Sequence, residues 1–195
     1  MHWKDKSNKP FGSLQRLRSH FAEQKKELLF AMNGGMYHDN RNPVGLYIEN
    51  SKTISALNTA KGEGNFFLQP NGVFYINDNK RAFVRSTPEF KTDSSIVFAT
   101  QSGPMLVING KIHPQFQEHS KNLNIRNGIG VMPDGRILMA MSKKEVNLYT
   151  FASYFLKNGC QNALYLDGHV SRAYCPEQKW EQLDGEFGVM IAVHN

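Results

Sequence analysis

Long apolar runs are missing from this 195-residue chain. None approaches the ~18 residues a helical membrane span needs, so no span is expected. Cysteine is scarce too. Cys160 and Cys175 are the whole supply, too few for a disulfide framework. They lack the C-x-x-C spacing of a zinc or redox site, so two free thiols are expected. The 7 histidines are scattered and form no H-E-x-x-H pattern. His38, His113 and His119 accordingly read as surface or loop residues. Met1 is followed by His2-Trp3-Lys4-Asp5-Lys6, polar turn chemistry rather than a charged and then apolar leader, so no export signal is expected in these residues. No repeat, low-complexity tract or linker divides the chain, which reads as one domain over residues 1–195.

The charge balance has a sign but no focus. Lys and Arg number 23 against 17 acids, a formal net charge of +6. The adjacent lysine pairs, Lys25-Lys26 and Lys143-Lys144, read as solvated faces. A nucleic-acid binder shows a clustered basic footprint or a known module, and neither is present. A small anionic substrate suits the charge at least as well.

Hydrophobic periodicity supplies the elements. Leu14, Leu17, Phe21 and Ala22 recur at helical spacing within Pro10 to Lys26, with Ser13 placed to cap. A second helix is expected over Val146 to Asn158, stopped by Gly159. The remaining elements read as strands. Turn chemistry at Glu49 to Lys52, Asn77 to Lys80, Asn109-Gly110 and Pro133 to Arg136 predicts hairpins. Leu28 to Met32, Ser95 to Thr100 and Phe187 to Val193 read as core strands, and residues 168–186 as loop. The expected class is α+β: a single strand-rich domain with a mixed or antiparallel sheet and few helices.

Four apolar strands end in polar, glycine-bearing segments. Ala163 to Leu166, an unbroken apolar stretch expected to be buried on both faces, runs into Asp167-Gly168. The others deliver Asn33-Gly34-Gly35, Gln101-Ser102-Gly103 and Arg126-Asn127-Gly128. Asp-Gly alone is turn chemistry; four such endings suggest loops gathered over one site.

With these residues in view, the chain resembles the phosphodiester glycosidase family. The likeness rests on Asn33 to Tyr37, Pro43 to Leu46, Leu57-Asn58, Gly64 to Phe66 and Asn71 to Phe74. It continues through Thr100 to Leu106, Arg126 to Gly128, Phe151-Ala152 and Tyr165 to Gly168 with Ser171. The order and spacing hold from about residue 10 to the end. Members of the family commonly carry an earlier strand and an export signal, neither of which is expected in these residues, and His169 stands where a second small residue is usual.

The resemblance implies hydrolysis of a sugar, N-acetylglucosamine-like, from its phosphodiester, through an oxocarbenium-like state. The leaving phosphate monoester is stable as an anion, its second pKa being about 6, so strong general acid is less needed. Asp167 is then the essential carboxylate, base or nucleophile, with Glu63 or Asp39 as its partner unless both are plain loop acids. Arg126 would clamp phosphate through its planar fork, or sit in an ion pair. Gly34, Gly35 and Gly103 would let backbone N–H groups approach an anion, or form tight turns, and Gly168 would join them in binding substrate. Asn33, Asn127 and Gln101 would bond sugar hydroxyls or pin loops, and Ser102 and Ser171 would bond phosphate oxygens. No cofactor is expected, although a divalent cation on Asp167 and Asn33 would suit oxygen ligands. The expected partner is a small anionic sugar phosphodiester or a phosphate-linked glycan. The competing readings are a glycan- or cell-wall-binding module without activity and a nucleic-acid-binding protein.

Overall fold

The computed structural model describes residues 1–168 and 170–195; His169 lies outside them. Helix α1 (Leu14–Glu23) begins at Ser13, whose Oγ accepts the Arg16 N–H, and leads into β1 (Leu28–Asn33). Strands β2 (Tyr47–Glu49) and β3 (Lys52–Ser55) form one hairpin, β4 (Gly72–Asn77) and β5 (Ala82–Ser86) another. Next come β6 (Ile96–Ser102), β7 (Met105–Ile108) and β8 (Lys111–Ile112), then the hairpin β9 (Asn127–Val131) and β10 (Ile137–Met141). Helix α2 (Leu148–Lys157) is shorter than its apolar pattern, because the Asn147 side chain accepts the Thr150 N–H and starts the helix there. Strands β11 (Asn162–Tyr165), β12 (Ala173–Cys175), β13 (Trp180–Glu181) and β14 (Met190–His194) complete the chain.

The strands form three sheets, ordered β13-β12-β1-β14, β10-β9-β11-β7-β8 and β3-β2-β6-β4-β5. Every strand pair among the described residues runs antiparallel. This resolves the expected mixed or antiparallel sheet. Strands β12 and β13 replace part of the loop expected between Asp167 and Phe187. Ala173 pairs with Met32 and Tyr174 with Ala31, so β12 finds its place through β1, and β13 through β12, rather than through their own pattern.

One core, including Met32, Tyr47, Phe74, Met105, Ile129, Leu164 and Leu166, joins residues of all three sheets. Under α1, Leu14, Leu17 and Phe21 pack on Leu28, Ala31, Phe187 and Met190. Phe151, Ala152 and Phe155 of α2 cover Leu106, Ala163 and Cys160. Ala163 to Leu166 are fully buried, as the apolar run predicts. Both cysteines are free thiols. This packing brings the C-terminal ends of β1, β6 and β11 and the start of β9 to one place.

Candidate active site

That place is a knot of buried amides. Asn127 Nδ2 donates to Asn33 O at 2.8 Å, and Asn127 Oδ1 accepts the Asp167 N–H at 2.8 Å. Ser102 Oγ donates to Leu166 O at 2.7 Å. Asn33 Oδ1 accepts the Arg172 N–H at 3.0 Å. Ser171 Oγ closes the loop by donating to Asp167 O at 2.8 Å. Asn33, Ser102, Asn127, Asp167 and Ser171, all singled out in the sequence, therefore lie together. Among the described residues the Nδ2 of Asn33 is buried there without a hydrogen-bond partner, a cost that a ligand acceptor would relieve.

The Asp167 charge acts on two phenols. Burial pushes the Tyr37 hydroxyl up to about 12, and the Asp167 charge adds to the effect. Burial likewise lifts Tyr165 to about 12; Arg126 opposes this and Asp167 reinforces it. Both phenols stay protonated at neutral pH and can donate toward developing negative charge. Gly168 sits against the Tyr165 hydroxyl so closely that a Cβ there would overlap it. Gly35 is cramped to a lesser degree, a Cβ falling 2.5 Å from Thr100 Oγ1 and 2.8 Å from Gln101 O. These two glycines serve close packing, and neither has a positive φ.

Arg126 is placed differently from the expectation. It is 1% exposed. Its Nε donates to Val146 O at 2.8 Å, Nη1 to Tyr165 Oη at 3.1 Å, and Nη2 to both oxygens of Asn122, at 2.9 Å (O) and 3.1 Å (Oδ1). Four of five N–H groups are thus taken within the protein, and no two-pronged face remains for an anion. Nor, among the described residues, does it form the surface ion pair of the other expectation. Gln101 is saturated as well: Oε1 accepts from Leu46 N and Asn58 N, while Nε2 donates to Asn58 O and Thr87 Oγ1. It pins loops, one of the two roles the sequence left open.

The Gly34 N–H is committed to Val189 O at 2.8 Å. A Cβ on Gly103 would meet Asn71 Cβ at 2.6 Å. Glu63, Asp39, His38 and His119 are exposed. His113 departs from the surface reading and is buried. Its Nε2 faces Gln69 O at 3.0 Å, its Nδ1 accepts the Gln115 N–H at 3.2 Å, and its ring stacks on Phe116. Among the described residues, no group of three or more His, Cys, Asp or Glu is arranged to hold a metal ion.

Beside the knot opens a polar cleft of about 490 Å³, whose lining includes Gly168, Ser171, Arg172, Lys143, Lys179 and Trp180. None of the last four was singled out as a site residue. Only their position after the Asp167 loop, or in the second lysine pair, would have drawn attention to them.

The family pattern described as phosphodiester glycosidase matches residues 26–189. The chain belongs to the phosphodiester glycosidase family. An Escherichia coli K12 protein, "Uncharacterized protein YigE", is 42% identical over 175 residues, covering 89% of this chain and 68% of that protein. The fold is similar to the zebrafish N-acetylglucosamine-1-phosphodiester alpha-N-acetylglucosaminidase catalytic domain, auto-inhibited by its pro-peptide, with a TM-score of 0.62 and 18% identity. That match covers 88% of this chain and 65% of the zebrafish chain. A hypothetical protein from Synechocystis matches with a TM-score of 0.50 and 13% identity over 99% of this chain and 54% of its own. This phosphodiester glycosidase domain thus spans less than two thirds of either solved relative. No helix among its described residues is long and apolar enough to cross a membrane.

Proposed function

We propose that the protein hydrolyses the bond between a sugar's anomeric carbon and the phosphate of a phosphodiester. N-acetylglucosamine is the first sugar to try, since the zebrafish relative's name specifies it. The observation that supports this most is the suspension of Asp167. Its backbone is held by Asn127, and its neighbour Leu166 by Ser102, so the carboxylate stands on a frame of three strand ends. Its charge acts on two phenols that stay protonated, and the Gly168 that follows it lines a cleft with three cationic side chains.

In the reaction, oxygen from water bonds to the anomeric carbon. The carbon–oxygen bond to phosphate breaks, and its electron pair stays on the phosphate oxygen. The products are the free sugar and a phosphate monoester, which takes up the proton the water gives. Asp167 acts either as base toward that water or as nucleophile, forming a glycosyl ester that water then opens. Arg126 is a positioning residue, holding the Tyr165 hydroxyl beside Gly168. Asn33, Asn127, Ser102 and Ser171 orient the frame. Gly34, Gly35 and Gly103 let it pack.

The test is incubation with methyl and aryl phosphodiesters of N-acetylglucosamine, followed by identification of the broken bond. Free sugar with a phosphate monoester supports the proposal. Sugar-1-phosphate as product means cleavage at phosphorus and overturns it. Loss of turnover in Asp167→Asn, with ligand binding retained, separates an enzyme from an inactive binding module.

A further inference from the structure

Two hollows meet at Trp180. The polar cleft carries Lys143, Lys179 and Arg172 against one lining carboxylate, Glu145. Arg172 is tied to Asp184 at 3.0 Å, which leaves Lys143 and Lys179 as the cations without a carboxylate partner among the described residues. The Lys143 ammonium stands 5.5 Å from the centre of the Trp180 ring, over its face. Across Ser142, Gln178 and Trp180, which line both hollows, lies a second one of about 570 Å³. Its character is opposite. Phe30, Ile137, Met139, Phe151 and Tyr154 line it.

The trough exists because of how the strands end. Strand β10 is the outer strand of its sheet, and its sequence, Ile-Leu-Met-Ala-Met, is apolar throughout. An edge strand is ordinarily blunted by charge or proline. Here Ile137 and Tyr154 remain substantially exposed, at 36% and 49%. The cationic cleft thus touches the Asp167 loop on one side and an apolar trough on the other.

Resting on the hydrolase reading above, we infer that the departing half of the substrate is a phosphate monoester bearing an apolar chain. Its phosphate lies in the cleft between Lys143 and Lys179, and its chain passes Trp180 into the trough. The order of surfaces matches the order of groups in such a molecule: carboxylate at the sugar, cations at the phosphate, hydrocarbon beyond. A short polar aglycone would leave the trough unused, and a polypeptide strand on β10 would not require the lysines.

Binding can be read without turnover, because Trp180 is one of only two tryptophans and the other, Trp3, is buried in the core. Methyl, butyl and octyl phosphate are titrated against the protein while its fluorescence is followed. Affinity should rise with chain length, by about fourfold per methylene over the first few carbons. Adding salt should weaken binding of every ester. Lys143→Gln with Lys179→Gln should weaken octyl phosphate about tenfold or more, and Trp180→Phe should remove most of the signal. Ile137→Glu should lower the ratio of kcat/KM for octyl over methyl phosphodiesters of N-acetylglucosamine. Equal affinity for methyl and octyl phosphate overturns the inference, as does octyl binding that survives loss of both lysines. An Ile137→Glu variant that alters the oligomeric state but not octyl binding assigns the trough to protein contact and also overturns it. If the methyl phosphodiester is hydrolysed while chain length has no effect, the inference alone fails. If chain-length-dependent binding occurs with no hydrolysis of any ester, the hydrolase reading alone fails.

Discussion

Two groups of polar residues sit within one bond network of each other and behave as opposites. Around Arg126 and Gln101, every prominent side-chain group is occupied by a protein partner: Val146, Tyr165 and Asn122 for the first, Leu46, Asn58 and Thr87 for the second. Around Asp167, the backbone is pinned, and the Gly168, Ser171 and Arg172 that follow it line a cleft. The first region spends its hydrogen bonds on rigidity, and the second borrows that rigidity to hold a carboxylate. Residue type alone does not distinguish them. A guanidinium fork is as useful for tying three segments together as for gripping phosphate.

The largest effect should come from the second region. Asp167→Asn is expected to lower kcat about a thousandfold or more, roughly 4 kcal/mol of barrier, with an unchanged melting temperature. An equal loss of both would place Asp167 in the frame instead. Arg126→Met should do the reverse. Stranding buried carbonyls at Val146 and Asn122 should cost about 3 kcal/mol of stability or more, while the molecules that stay folded lose less kcat than Asp167→Asn does. Gln101→Leu should cost about 2 kcal/mol for the same reason, with KM and kcat near those of the parent. Denaturant unfolding combined with steady-state kinetics on each variant checks all three.

A smaller effect should appear with pH. Burial lowers the His113 pKa below its ordinary 6.5, although Gln69 O works against the shift. The unfolded chain therefore takes up a proton at His113 more readily than the native one. The stability this neutral ring contributes is complete above pH 6.5 and drains as pH falls through that value toward the lower native pKa. Protonation at Nδ1 would also forfeit the bond from the Gln115 N–H. Thermal melts across this window should show the slope in the parent, and His113→Gln should flatten it. A slope identical in both would remove His113 as its source.

The elements with strong period or turn chemistry were legible. The hairpins at Asn50, Asn77, Asn109 and Asp134, the cap at Ser13 and the buried stretch Ala163 to Leu166 all follow from local rules. So does the gathering of Asn33, Ser102, Asn127, Asp167 and Ser171, because glycine-bearing strand ends are where backbones crowd. Strands β12 and β13, three and two residues long, carry no period of their own and exist through pairing with β1 and with each other. The burial of His113 depends on Gln69 and Phe116. The saturation of Arg126 depends on a loop carbonyl at Asn122 and another at Val146, and carbonyls have no signature in a sequence. Lys143 and Trp180 meet across 37 positions of chain with nothing local to join them.

The bond from Asn127 to Asn33 spans 94 positions and that from Arg172 to Asn33 spans 139. The network around Asn33 is therefore incomplete until Arg172 and β14 have been made, since β1 is sandwiched between β12 and β14. Such distant closures are slow to find. Catalytic competence should be the last property regained after dilution from denaturant, trailing the return of helix. Clipping the chain ahead of β14 should silence the protein even where α2 and its neighbours still stand.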